Sequence, residues 1–317
     1  MLQKVLPKFI IILFIYIILF QSTQLVKEKK KRYKKRRNRN KTNYCFNIFQ
    51  EKSINKKFIN EFNYKTKVIA SFTSHRKRLK IKAINQMVDS LLNQTIKPYK
   101  IILTLYINDI NYINSYLKSL IENDILELLI SYEDIKPHKK YFYVMQKFRD
   151  YPIITFDDDI IYENTTIESL INSYIIYPNL ISARRVHKML FKKNNNTTKK
   201  LLPYRKWIQE YNKELNPSFD LFATNGAGSL FPPNILNITN DLLKEIYKII
   251  NADDIYLKYL EIKKGIKTVY VPNNKPMGIQ IKNKEYQKTA LYKKNVKKNE
   301  NDIYISLFNI IYNDENF

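Results

Sequence analysis

The sequence predicts an α/β domain whose mostly parallel sheet is flanked by helices. Short apolar runs and helical stripes alternate four times between residues 68 and 174, as successive strand–helix units require. The 317 residues are 44% hydrophobic and 14% aromatic, enough to bury a large core. The turn signals between the runs do not include the glycine-rich loops of nucleotide folds. The first glycine is Gly226, so no Gly-x-Gly-x-x-Gly or Gly-x-x-x-x-Gly-Lys motif occurs, which argues against a Rossmann dehydrogenase or a P-loop NTPase.

Taken in order, Val68–Phe72 is a buried-type strand. Ile84, Met87, Val88, Leu91 and Leu92 recur at helical spacing, and Pro98 ends that helix. Lys100–Leu105 is the second strand, Tyr112–Glu122 the next helix, and Leu126–Ile130 the third strand. Tyr141, Val144, Met145 and Phe148 form a helical stripe before the fourth strand, Pro152–Phe156. Ile167, Leu170, Ile171 and Tyr174 mark a further helix, with Asn164 as its cap. In such sheets ligands bind beyond the carboxyl ends of the strands.

The composition excludes whole-chain disorder and a disulfide scaffold, since Cys45 is the single cysteine. With only His75, His138 and His187 besides, a Cys/His zinc site is excluded too, and any metal is held by oxygen. The formal charge is +26, and residues 27–41 carry eleven basic residues against Glu28. This balance suits polyanions: nucleic acid, anionic lipid or a phosphorylated substrate.

Before that basic segment lies an unbroken apolar run, Phe9–Phe20. It falls short of the roughly 20 residues that span a bilayer, but Leu2, Val5, Leu6, Leu25 and Val26 extend it. It ends without a small-x-small cleavage site, which favours a single-pass membrane anchor over a cleaved signal peptide. The heavier positive flank, 27–41, places the following domain on the cytoplasmic side. The expected organisation is a signal-anchor segment 1–26, a basic linker 27–60, a catalytic domain 61–281 and a basic extension 282–317.

Three clusters carry chemistry. Asp157-Asp158-Asp159 follows the fourth strand directly. Adjacent carboxylates repel one another, and a divalent cation relieves this well. In extended chain Asp157 and Asp159 share a side. An acidic turn capping the next helix uses the same residues, although apolar runs on both sides argue for burial. Asp253-Asp254 opens a helix with Tyr256, Tyr259 and Leu260 on its apolar face and Gly265 as its C-cap. First-turn carboxylates suit the macrodipole, and one of them would equally serve as a general base. Asn225-Gly226-Ala227-Gly228-Ser229 holds two of the four glycines, marking either a tight turn or a backbone that a substrate approaches closely. Arg76 and Lys140 are solvated cations or phosphate contacts. Arg184, Arg185 and His187 are a surface cluster or a phosphate or acceptor contact. Trp207 is a core residue or a sugar-stacking one.

In this order the clusters resemble a GT-A-fold, family-two-like nucleotide-sugar glycosyltransferase. The resemblance rests on strand-Asp157-Asp158-Asp159 as a DXD motif, Thr224-Asn225-Gly226-Ala227-Gly228, and Ala252-Asp253-Asp254-Ile255-Tyr256-Leu257. Ser71-Phe72-Thr73-Ser74, Leu91-Leu92-Asn93-Gln94-Thr95-x-x-Pro98 and Glu133–Lys140 add to it. It covers roughly residues 66–272, and departs from the family in carrying Asp-Asp where Glu-Asp is common.

The resemblance implies a metal-dependent, inverting hexosyltransferase that moves a sugar from a nucleotide diphosphate to a hydroxyl acceptor. It implies Mn²⁺ or Mg²⁺ at Asp157 and Asp159, and a nucleotide-sugar site of Thr73, Ser74, Arg76, Lys140, Asp157 and Asp158. It implies an acceptor or sugar pocket of Asn225, Gly226, Ala227, Gly228 and Trp207. Asp254 takes the place of the base and Asp253 supports it. The acceptor would be a glycan or a lipid-linked molecule, reached beside an anionic membrane. Two other classes compete: a basic nucleic-acid-binding protein, and a metal-dependent nuclease or phosphotransferase using the same aspartates.

Overall fold

The computed structural model describes residues 66–81, 83–193, 198–272, 278–281, 300–307 and 312–313. The expected signal-anchor segment 1–26, the expected linker 27–60 and much of the expected extension 282–317 lie outside the described residues. Among the described residues no helix is long and apolar enough to cross a membrane.

Seven strands form the central sheet: β1 (Ile69–Thr73), β2 (Lys100–Tyr106), β3 (Glu127–Ser131), β4 (Ile153–Phe156), β5 (Ile181–Ala183), β6 (Ala227–Phe231) and β7 (Thr268–Tyr270). Their order is β7-β5-β6-β4-β1-β2-β3. Only β6 is reversed, running antiparallel to both β4 and β5, while the β1–β2, β1–β4, β2–β3 and β5–β7 pairs are parallel. The protein is therefore an α/β fold with a mostly parallel sheet, as its alternating pattern predicts.

Side chains of a strand alternate between faces, and β1 shows it. Ala70 and Phe72 join Val68 in a core beneath the helices Ala83–Leu92, Ser115–Glu122 and Thr166–Ile176. Ile69 points the other way, onto Ile102, Ile153 and Val144 of the helix Phe142–Lys147. A third cluster joins Tyr141, Phe142, Trp207, Phe222 and the buried face of the helix Asp253–Lys263. The side chains of Phe72, Phe156 and Tyr256 are fully buried, worth roughly 1.5–3 kcal/mol for each such large apolar group. From the basic extension, the helix Glu300–Leu307 adds Tyr304 and Ile305 to this third cluster.

Several boundaries differ from the sequence pattern. The helix expected from Tyr112 begins at Ser115, because Asn114 caps it by accepting from Leu117 N at 3.0 Å. Residues Ile107–Tyr112 instead form a 3₁₀ turn. The helix Ala83–Leu92 ends before Pro98 is reached. Asn164 is not a cap, since the helix Thr166–Ile176 starts after Thr165 and has no side-chain cap. At the end of Asp253–Lys263 the capping residue is Lys264, and Gly265 takes the left-handed conformation after it, φ 66°.

Topology sets the site. Because β6 runs back along β4 with Ala227 beside Phe156, the Asn225-Gly226 turn lies next to the carboxyl end of β4. Two clusters about seventy residues apart in sequence are thus brought to one sheet edge. Gly228, at φ 99°, absorbs the register shift between Ala227 and Ser229.

Candidate active site

All three carboxylates of the Asp157–Asp159 turn meet cations, buried Lys140 and part-buried Arg78. The ammonium of Lys140 lies 2.8 Å from Asp157 Oδ1 and 2.7 Å from Asp253 Oδ2. Arg78 reaches Asp158 Oδ1 with Nη1 and Asp159 Oδ2 with Nη2, the latter at 3.3 Å. Ser74 donates to Asp158 Oδ2 at 2.5 Å. Lys140 ends a 3₁₀ turn, Lys136–Lys140, whose last carbonyl accepts from Ser71 Oγ of β1 at 2.6 Å. His138 in that turn accepts from Tyr141 OH at Nδ1 (2.7 Å) and donates from Nε2 to Ile249 O (3.2 Å). Burial holds this imidazole neutral, with its pKa pushed down to about 4.

The glycine turn is tied to the strand end by Tyr162. Its hydroxyl accepts from Asp157 N at 2.7 Å and donates to Gly226 O at 2.5 Å. Asp157 N also reaches Gly226 O at 3.0 Å. A Cβ on Gly226 would lie 1.7 Å from Asp157 Oδ2, so the carboxylate rests in space that only glycine leaves. On the other side of Lys140, Asp253 and Asp254 occupy the first turn of their helix. Asp254 Oδ1 accepts from Asn225 N at 2.9 Å and from Asn225 Nδ2 at 3.1 Å.

Five carboxylates therefore surround Lys140 and Arg78, an excess of negative charge that adds to burial in shifting the pKa values of Asp159 and Asp254. Asp159 is pushed up to about 6 by burial and then by Asp157 and Asp158, against Arg78. Asp254 is pushed up to about 7 by burial and then by Asp253, against Lys140. Asp157 goes the other way: burial would raise it, but Lys140 holds it below the usual range. Burial likewise opposes the charge on Lys140, yet Asp157 and Asp253 hold its pKa well above normal.

A carboxyl whose folded pKa lies above its unfolded value of 3.8 stabilises the fold fully below that value and loses the contribution as pH rises through the folded pKa. The melting temperature of the protein without divalent cations should thus fall between about pH 4 and 7 on account of both groups, and level off above that. Asp254→Asn should flatten the upper part of the fall, near pH 7. Thermal denaturation across this range checks it, and an unchanged profile in Asp254→Asn would remove Asp254 as the source.

The same excess of charge bears on a divalent cation. Among the described residues no three Asp, Glu, His or Cys side chains converge on one point. Mg²⁺, however, is commonly held by one or two carboxylates with substrate phosphate and water completing its shell. Asp157 and Asp159, just past the carboxyl end of β4, offer only oxygen donors and so fit such a set in kind.

The other sequence candidates are placed as follows. Thr73 donates to Thr104 O at 2.7 Å, across to β2. Arg76 is 66% exposed and lies 3.8 Å from Asp109, away from the carboxylates. Its expected place is taken by Arg78, which the sequence reading passed over. Three successive cations, Arg76-Lys77-Arg78, gave no periodicity to rank them; the buried Leu79 beside Arg78 is the one signal. Trp207 is only 4% exposed, packs on Tyr204 and Phe222, and donates Nε1 to Leu202 O at 2.8 Å. Its ring is thus a core ring in this conformation. Ala227 and Gly228 lie in β6. Arg184 and His187 are buried rather than a surface cluster, and Arg185 donates to Thr224 Oγ1. Tyr162 was also missed.

No family model matches the chain, and no curated protein matches it significantly. Among solved structures it is similar to 4-diphosphocytidyl-2C-methyl-D-erythritol synthase from Anaerococcus prevotii DSM 20548. The TM-score is 0.43 at 14% identity, over 69% of this chain and 94% of that one. A second structure, also of a 4-diphosphocytidyl-2C-methyl-D-erythritol synthase, gives 0.41 at 9% identity over 70% and 96%. At these scores neither similarity carries an argument about the chemistry of this chain.

Proposed function

We propose that this protein is a metal-dependent glycosyltransferase that moves a sugar from a nucleotide-diphosphate donor to a hydroxyl acceptor, with inversion. The observation that carries the reading is the facing of two carboxylate groups across Lys140. On one side is a strand-end set, Asp157–Asp159; on the other is Asp253, paired to Lys140, with its neighbour Asp254 held by Asn225. Both stand where α/β sheets bind ligands.

Asp157 and Asp159 would hold Mn²⁺ or Mg²⁺, which when bound supplies Lewis-acid neutralisation of the leaving diphosphate. Ser74 orients Asp158, and Arg78 and Lys140 keep the carboxylates apart and ordered. The acceptor oxygen attacks the anomeric carbon as the bond to the diphosphate oxygen breaks, and its proton passes to Asp254. Burial and Asp253 raise Asp254 to about 7, close to the operating range that general-base catalysis favours. In this reading the extra net charge of 27–41 and the apolar run 9–20 fix the enzyme to an anionic membrane.

Nucleotide sugars with Mn²⁺ should raise the melting temperature, since a ligand bound only by the folded state stabilises it. Stabilisation by DNA or RNA instead, with no response to any nucleotide sugar, would overturn the reading. For the membrane, deleting residues 1–41 should move the protein to the soluble fraction with its catalytic domain folded. Continued sedimentation with membranes at high salt would count against the anchor.

A further inference from the structure

The structure assigns to Asn225 a positioning role: it fixes the Asp254 carboxylate so that Oδ1 is occupied and Oδ2 is the oxygen that takes the acceptor's proton. This inference rests on the transferase reading and names the residue on which its base depends.

The geometry is unusual in one respect. Asn225 sends both of its nitrogens, the backbone N–H at 2.9 Å and the side-chain NH₂ at 3.1 Å, to the same oxygen, Asp254 Oδ1. Its own side-chain oxygen, Oδ1, is buried with no hydrogen-bond partner among the described residues. A buried amide leaves an acceptor unmade only where something stronger sets its orientation. Reversing the amide would place oxygen against the Asp254 carboxylate, so the charge on Asp254 sets it. The residue itself is rigidly held. It is fully buried, Thr155 Oγ1 donates to its carbonyl at 2.9 Å, and Gly226 follows in the turn tied by Tyr162.

Two donors on one carboxylate oxygen stabilise the ionised form and leave the second oxygen as the site of protonation. The charged groups facing Asp254 are Asp253 on its own helix, Lys140 from the 3₁₀ turn and Asp157 from the end of β4. Asn225 is the neutral member of this ring and the one that contacts Asp254 through hydrogen bonds with both of its nitrogens.

The test compares Asn225→Ala, Asp254→Asn and the double variant in steady state, with a nucleotide sugar that supports Mn²⁺-dependent turnover. Asn225→Ala should lower kcat about tenfold to a hundredfold, the scale of a misplaced catalytic group. KM for the donor should stay within about twofold, since Asn225 is fully buried and not open to the pocket the resemblance implied for it. The double variant should be no slower than Asp254→Asn, because Asn225 acts only through that group. Losses that multiply, or a change confined to KM, would overturn the assignment.

A second readout needs no turnover. In the wild type the backbone amide proton of residue 225 should shift with the ionisation of a single group, and the titration should vanish in Asp254→Asn. An amide shift indifferent to Asp254 overturns the assignment even if Asn225→Ala fails to fold. If no nucleotide sugar is turned over by the wild type, the transferase reading fails and the amide titration alone decides the role of Asn225.

Discussion

Gly226→Ala should abolish sugar transfer while leaving the chain folded. The new methyl would stand 1.7 Å from Asp157 Oδ2 and 1.9 Å from its Cγ, so either the carboxylate or the turn must move. If Asp157 swings away, it leaves Lys140. If the turn moves, the bonds of Asp157 N and Tyr162 OH to Gly226 O are broken. Both outcomes displace a carboxylate assigned to the cation, and a displacement of about 1 Å is enough to cost a hundredfold. The stability loss should be modest, about 1–3 kcal/mol, as for other overpacked sites. Gly265→Ala is the control. Nothing lies within 4 Å of its added methyl, but φ is 66°, so it should cost roughly 1–2 kcal/mol of stability and leave kcat unchanged. Comparable kcat for Gly226→Ala and the wild type would mean that Asp157 has no part in the reaction.

Asp254→Asn should lose transfer by about a hundredfold or more while keeping donor and metal affinity, the scale of removing a general base. Asp253→Asn should lose less activity and more stability. Asp253 is ion-paired to buried Lys140 at 2.7 Å, and removing one partner of a buried pair leaves the other charge uncompensated. Among the described residues Asp254 has no such cation in contact; its partner is Asn225, and replacing it relieves repulsion from Asp253. The two variants should therefore rank oppositely in kcat and in melting temperature. Equal, small losses of activity would mean that both acids only cap the helix, and a reversed order in kcat would move the base to Asp253.

The sheet was legible because its signals are local. Strands such as Ile153–Phe156 are short apolar runs, and a helix such as Thr166–Ile176 shows its stripe at Ile167, Leu170 and Ile171. The carboxylate clusters were legible because each sits at the end of an element. The reversed β6 was not, since strand direction depends on which neighbours pair, and that pairing is what brings Gly226 onto Asp157. The counter-cations were read only in part. Lys140 follows a recognisable lead-in, whereas Arg78 lies in a single helical turn, Arg76–Leu79, too short to show a period. Trp207 was open between core and sugar pocket because an indole suits either, and only the packing of Tyr204 and Phe222 around it distinguishes them.

Sugar transfer from a nucleotide donor at the Asp157–Asp159 turn would release a nucleoside diphosphate. The most direct measurement is the release of nucleoside diphosphate from a panel of nucleotide sugars, with and without Mn²⁺, by the wild type and by Asp159→Ala. Release from at least one donor is expected, requiring the cation and absent in the variant, whose melting temperature should no longer respond to Mn²⁺. Release of nucleoside monophosphate instead would show attack at phosphorus and not at the anomeric carbon. That result, or an Asp159→Ala protein that binds Mn²⁺ and releases diphosphate as the wild type does, would contradict the account.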